Sequence, residues 1–205
     1  MDLSIIVPCH NLEGYIGKLV DSLLRQRYDN YDVEVIFVLD NCTDNTGKVI
    51  WQRILQDESP FKPVIVETSA GACGLARNCG LMHSHGKYIW FVDGDDWLLD
   101  NDAIIQAIEL IEFYETPYVR FDYQYNKEFL AYGYYAMVWQ YIFSREAIGD
   151  LRFSAIQPDE DKEFLNKFRQ KYGPAPTTQI KLYYYNYGRE GSNMQQFVTK
   201  GHIDL

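Results

Sequence analysis

The residues best equipped for chemistry lie where an apolar run ends in acid: Tyr88-Ile-Trp-Phe-Val-Asp-Gly-Asp-Asp-Trp-Leu98. Residues 88–92 read as a buried strand that discharges into Asp93, Asp95 and Asp96, with Gly94 to bend the chain. Carboxylates at the end of a core strand are expensive to desolvate without a counter-charge. Residues two apart in an extended segment point the same way, so Asp93 and Asp95 can face one target. A hard divalent cation such as magnesium or manganese is the natural candidate. The competing reading is a solvated turn in which Asp95 or Asp96 caps the next helix. A second acidic group, Asp159, Glu160, Asp161 and Glu163, could supply a general base. It could equally be a solvated helix start favoured by the helix dipole.

These groups need elements to position them. Residues 3–7 form an apolar strand ended by Pro8. Residues 14–27 show helical spacing, with Ile16, Leu19, Val20, Leu23 and Leu24 on one stripe. Strands at 33–39, 64–67 and 88–92 alternate with helices at 44–56 and 75–85, the last closed by Gly86. This β-α-β order predicts an α/β fold with a mostly parallel central sheet flanked by helices. Ligands of such sheets lie beyond the carboxyl ends of the strands. The turns at 8–13, 40–44 and 93–96 are therefore gathered into one site. Beyond Trp97 the texture changes: a helix at 102–114, tyrosine-rich strands and loops over 117–143, a helix at 159–172 and a strand at 180–187. No Gly/Ser linker or internal repeat divides the chain. The expectation is one domain over 1–205, with a nucleotide-binding half (1–100) and an acceptor-side half (101–205).

The 205 residues are 47% apolar and 23% charged, with a formal net charge of −10. That balance argues against nucleic acid as a partner and against an electrostatic hold on anionic lipid. It also means that a phosphate ligand needs a metal or local cations. The first residues run into a strand without a basic segment or cleavage site, and no apolar run reaches membrane-spanning length. A cytoplasmic protein is expected. Cys9, Cys42, Cys73 and Cys79 lack CxxC spacing and read as reduced, mostly buried thiols rather than a zinc site.

Four segments in order, Ser4-Ile-Ile-Val-Pro-Cys-His-Asn-Leu-Glu13, Asp40-Asn-Cys-Thr-Asp-Asn-Thr46, Ala76-Arg-Asn-Cys-Gly80 and Phe91-Val-Asp-Gly-Asp-Asp96, resemble the family 2 glycosyltransferases of GT-A fold. The resemblance continues through Trp139-Gln-Tyr-Ile-Phe-Ser-Arg145, Glu160-Asp-Lys-Glu-Phe164 and Tyr183-Tyr-Tyr-Asn-Tyr-Gly-Arg-Glu-Gly-Ser192, over nearly the whole chain. It implies a nucleotide-sugar donor. Asp40 would accept the uracil N–H, Pro8 and the backbone near His10 would wall the base, and Glu13 would hold the base end. For Asp40 the alternative is a bond to turn amides, and for Glu13 a helix-cap role; Asp44 reads as a cap. Leu39 stands where the family more often has a first acid.

By the same resemblance Arg77 lies under the acidic turn and orients it. Asp93 meets the ribose, Asp95 ligates the divalent metal, and Asp96 lies nearer the sugar. The E-D-x-x-F register singles out Asp161 as general base, with Glu160 beside it on the acceptor side. Trp139 and Trp97 suit sugar stacking, since pyranose C–H faces pack on aromatic rings. Arg189 is expected to reach the diphosphate, although the family's arginine usually falls where Asn186 stands. His202 could complete the metal shell or be solvated.

The implied activity is an inverting, hexosyltransferase-like transfer from a UDP-sugar to a glycan or lipid-linked acceptor, in capsule, lipopolysaccharide or other surface-glycan assembly. Association with the inner face of a membrane would come through the acceptor. Two other readings are a catalytically idle nucleotide-sugar-binding relative and a nucleotidyltransferase. The latter wants a Gly-rich basic loop that residues 8–13 do not offer.

Overall fold

The computed structural model describes residues 1–56, 58–125, 137–156 and 159–187. Strand β1 (Leu3–Cys9) sits near the middle of a mixed sheet, parallel to β2 (Val33–Asp40) on one side and to β4 (Tyr88–Phe91) on the other. All three are buried along their whole length, as expected of parallel strands covered on both faces. Strand β3 (Lys62–Thr68) pairs with β2 and leaves the sheet half-covered at that edge.

Alternation along β1 divides the core in two. Leu3, Ile5 and Val7 pack with Ile16, Leu19 and Leu23 of α1 (Ile16–Leu24), Ile50 and Ile54 of α2 (Thr46–Gln56), and Ile104 and Ile108 of α4 (Ala103–Tyr114). Ile6 faces the opposite way, toward Ala76 and Leu81 of α3 (Cys73–His83) and Phe164, Leu165 and Phe168 of α6 (Glu160–Tyr172). Helices therefore cover both faces. The chain runs outward from β1 through β2 to β3, then returns to place β4 on the other side of β1. That reversal opens a crevice at the carboxyl ends of β1 and β4.

The second half extends the same sheet. Strand β5 (Trp97–Leu98) follows the acidic turn; β6 (Tyr118–Tyr125) and β7 (Tyr141–Ser144) follow later, β7 running directly into the short helix α5 (Arg145–Ile148). Strand β7 joins β4 antiparallel, β6 joins β7 antiparallel, and β8 (Thr177–Tyr185) runs parallel to β6. Strand β8 also pairs antiparallel with β5. Among the described residues the sheet order is β3-β2-β1-β4-β7-β6-β8-β5.

Every expected strand and helix of the first hundred residues is present, with shifted ends. Helix α1 is shorter than the expected 14–27 and α3 ends at His83 rather than 85. Past α3, the His85 and Gly86 amides donate to Glu34 Oε1 at 2.5 Å and Ser4 Oγ at 2.7 Å, which draws the chain out of the helix. Strand β5 was not expected, because two residues carry no periodicity. It exists through its pairing with β8.

The Ser4–Glu34 pair joins β1, β2 and the turn before β4. Ser4 Oγ donates to Glu34 Oε1 at 2.7 Å, and both residues are fully buried. Ser4→Ala leaves the buried Gly86 N–H without this acceptor. It should lower unfolding stability by about 1–3 kcal/mol, measured as a shift of the urea midpoint at unchanged slope.

Candidate active site

The loops after β1 and β2 form one rim of the crevice and are laced together. Asn11 and Asn41 both adopt left-handed backbone, at φ 50° each, a region asparagine tolerates better than most residues. Asn11 Oδ1 accepts the Thr43 amide at 2.8 Å. Thr46 Oγ1 accepts the Leu12 amide at 2.7 Å, and Asp44 Oδ2 accepts that of Glu13 at 2.9 Å. Asp44 Oδ1 also accepts the Thr46 amide at 3.0 Å, the cap expected of it at the start of α2. The Glu13 carboxylate accepts both the backbone and side-chain N–H groups of Asn45, which is its helix-cap reading rather than a free base contact. Asn11 and Asn41 were not singled out from the sequence; an asparagine within two residues of each strand's end was the signal.

Asp40 ends β2 and is 6% exposed. Both of its carboxylate oxygens lie 3.0 Å from the Gly71 amide, so Asp40 holds the loop ahead of α3. His10 Nδ1–H donates to the Asp40 carbonyl at 2.7 Å. Pro8 is buried within β1, and its carbonyl meets the acidic turn: a Cβ built on Gly94 would lie 2.5 Å from Leu12 Cδ1 and 3.3 Å from that oxygen. Glycine at 94 is what lets the acidic turn lie against the first loop.

The three aspartates of that turn have different surroundings. Asp93 is partly exposed and pairs with Arg77 Nη2 at 2.9 Å. Asp96 is 1% exposed; it accepts the Tyr183 hydroxyl at 2.7 Å and the Asn186 amide at 2.8 Å. The expectation of Asp96 as a donor-binding residue nearer the sugar is therefore corrected: its carboxyl is an internal anchor. Burial, then the nearby Asp95 and Asp93 charges, push its carboxyl well above the usual range. Asp95 is partly exposed, and its carbonyl accepts from Asn186 Nδ2 at 3.2 Å.

Arg77 is the hub of the site. It is 3% exposed on α3 and reaches Asp93, Asp161 Oδ1 at 2.8 Å and Glu160 Oε1 at 3.5 Å. Asp161 Oδ2 accepts the Val138 amide at 3.1 Å. Burial raises the Asp161 carboxyl despite the opposing pull of Arg77. It raises that of Glu160 too, reinforced by the Asp161 charge. Burial works against the Arg77 charge, but the carboxylates, Asp161 foremost, outweigh it and hold the guanidinium protonated. Glu160 Oε2 is buried with no hydrogen-bond partner among the described residues. The approach is close: a Cβ on Gly74 would lie 2.7 Å from the Ser154 carbonyl and 3.2 Å from Glu160 Cγ.

The aromatic expectations need correction. Trp139 is 2% exposed, stacked 4.5 Å from Tyr183 and 5.2 Å from Tyr185, with the Tyr123 edge at 4.9 Å. Its ring is core and offers no face to a sugar. Trp97 stacks on Tyr184 at 4.2 Å and carries the Lys18 ammonium 4.8 Å from its ring centre. Arg189 and His202 lie outside the described residues.

A divalent cation fits this donor set in one way. Among the described residues no three His, Cys, Asp or Glu side chains converge as a metal cage. Magnesium-type ions, however, are commonly held by one or two carboxylates plus substrate phosphates. Asp95 and Asp93 are the partly exposed hard-oxygen donors at the mouth of the turn.

Comparison with known proteins places the chain. The model for glycosyl transferase family 2 matches residues 4–173, and the chain belongs to that family. It is 30% identical over 125 residues to glycosyltransferase GlyA of Streptococcus pneumoniae, covering 61% of this chain and 17% of GlyA. It is 38% identical over 106 residues to the uncharacterized glycosyltransferase EpsJ of Bacillus subtilis, covering 52% of this chain and 29% of EpsJ. The matched stretches thus span less than a third of these curated relatives. Residues 1–349 of Staphylococcus aureus TarS, in complex with UDP-GlcNAc, superpose with a TM-score of 0.82 at 23% identity, covering 95% of this chain and 61% of that one. The mannosyltransferase PcManGT from Pyrobaculum calidifontis, in complex with GDP-Man and Mn2+, gives 0.77 at 16% identity, covering 99% and 65%. The fold is GT-A. No described helix is long and apolar enough to cross a membrane.

The hub makes a prediction. Arg77→Met strands the facing carboxylates, which should cost about 3–5 kcal/mol at neutral pH. Asp161 and Glu160 have native carboxyls raised above their unfolded values. Loss of Arg77, whose charge lowers both, raises them further in the variant than in the parent, so the variant's native state takes up extra protons as pH falls and regains stability toward low pH. Urea unfolding of Arg77→Met should show a smaller deficit at pH 5 than at pH 8; equal deficits would contradict the assignment.

Proposed function

We propose that this chain is the donor-binding and catalytic core of an inverting glycosyltransferase that uses a UDP-sugar. The observation that carries the reading is the Arg77 hub, which ties the donor-side Asp93 to the acceptor-side Asp161 and Glu160 through one buried guanidinium. Family membership supports it, as does the likeness to a TarS structure containing UDP-GlcNAc. The acceptor is a hydroxyl of a glycan or lipid-linked substrate, and the transfer takes place in the cytoplasm, at the inner membrane face where that acceptor is lipid-linked.

In this reading the base lies between the β1 and β2 loops, with Pro8 and His10 as wall. Asp40 accepts the uracil N3–H with lone pairs beyond those given to Gly71 and the Asn41 side chain, since a carboxylate has about four acceptor sites. Glu13 and Asp44 keep the loop in shape. Asp93 accepts from the ribose hydroxyls. A divalent cation held by Asp95 would neutralise charge developing on the diphosphate.

Asp161 is the general base. It takes the proton of the acceptor hydroxyl as that oxygen bonds to the anomeric carbon. The carbon–oxygen bond to the diphosphate breaks with its electron pair staying on the diphosphate, and the anomeric centre inverts. Arg77 and the Val138 amide fix the carboxylate while leaving it lone pairs for the proton. A base pKa raised toward the working pH suits proton transfer, and burial moves Asp161 in that direction. Glu160 Oε2, which has no partner among the described residues, can accept a second hydroxyl of the acceptor.

Asp161→Asn keeps the shape and removes the proton acceptor. Transfer should fall by about 10²-fold or more while UDP affinity by calorimetry stays at the parent value; undiminished transfer would refute the assignment. Asp95→Ala should remain folded yet lose the manganese-dependent part of UDP binding. Equal UDP affinity of the parent protein with manganese and with chelator would remove the metal from this account.

A further inference from the structure

The closing strand carries a hydroxyl that no step above uses. Tyr183 is fully buried, and its ring stacks on Trp139 at 4.5 Å with an interplanar angle of 10°. The hydroxyl donates to Asp96 Oδ2 at 2.7 Å and accepts the Asp93 amide at 3.0 Å. Three residues later Asn186 donates its backbone N–H to Asp96 Oδ1 at 2.8 Å and its side-chain amide to the Asp95 carbonyl at 3.2 Å. Ladder pairing sets Leu98 opposite Tyr183 and Trp97 opposite Tyr184, tying β8 to the strand that leaves the turn. The acidic turn is thus held at Asp93, Asp95 and Asp96 by residues 87 to 91 positions later in the chain.

We infer that Tyr183 and Asn186 are positioning residues for the acidic turn, fixing its backbone so that the Asp93 and Asp95 carboxylates face a nucleoside diphosphate and its divalent cation. The inference rests on the reading proposed above. Asp93 and Asp95 are like charges two residues apart with the buried Asp96 carboxyl beside them, and a turn free to relax would swing the carboxyl groups apart. Internal donors on Asp96 and on the turn backbone hold the charges together before the ligand arrives. A site organised in advance binds more tightly, because less ordering is left to the ligand.

Tyr183→Phe keeps the ring on Trp139 and deletes the hydroxyl; Asn186→Ala deletes only the side-chain bond to Asp95. Tyr172→Phe is the control: it removes a hydroxyl bonded to the Ala147 carbonyl at 3.1 Å, at the far end of α6. UDP binding is titrated against manganese by calorimetry, with circular dichroism to establish folding. The manganese midpoint should rise about 5- to 10-fold in Tyr183→Phe, as loss of one or two hydrogen bonds predicts. It should rise about 2- to 5-fold in Asn186→Ala and stay at the parent value in Tyr172→Phe. UDP affinity at saturating manganese should change less than the midpoint in every case. Parent midpoints in folded Tyr183→Phe and Asn186→Ala overturn the inference, and if Tyr183→Phe does not fold, Asn186→Ala decides alone. A parent protein whose UDP binding ignores manganese overturns the metal-dependent reading instead.

Discussion

A guanidinium buried at 3% exposure among three carboxylates is the constraint on which this structure turns. Desolvating Arg77 alone would be prohibitive, and desolvating Asp161 and Glu160 without it equally so. Each charge is tolerable only because the others are there. The group also spans the chain: Arg77 sits on α3, Asp93 follows β4, and Glu160 and Asp161 open α6. No one of these elements can move away without stranding a charge, so α3, the end of β4 and the start of α6 are locked into one geometry.

The rest of the crevice is arranged around the same turn. From one side Gly94 brings it against Leu12 and Pro8 of the first loop. From the other, Tyr183 and Asn186 hold it through the end of β8. The tyrosine-rich second half thereby acquires a purpose. Trp139, Tyr123, Tyr183 and Tyr185 form an aromatic stack whose outlet is one hydroxyl beneath the acidic turn. Aromatic surface that looked suited to a sugar is the scaffold under the carboxylates.

The family match ends at residue 173, before β8 begins, yet β8 completes both the sheet and the support of the acidic turn. The part of the chain that closes the site is thus the part least captured by the family pattern. The matched stretches cover less than a third of the relatives GlyA and EpsJ.

Local pattern was enough for much of this. Continuous apolar runs at β1, β2 and β4 and the alternation of helix and strand predicted the α/β sheet, and the acids at the strand ends do gather beyond its carboxyl edge. Those features depend on near neighbours and on burial, which a sequence displays directly. The roles within the site did not follow from it. Asp93, Asp95 and Asp96 are one residue type within four positions, and only contacts with Arg77, Tyr183 and Asn186 distinguish them. Trp139 looked like a ligand platform because nothing in the sequence brings Tyr183 and Tyr185 onto its face. Strand β5 is two residues long and exists only as a partner of β8. These are pairings across large separations in the chain, created when the sheet closes, and the tertiary structure alone decides them.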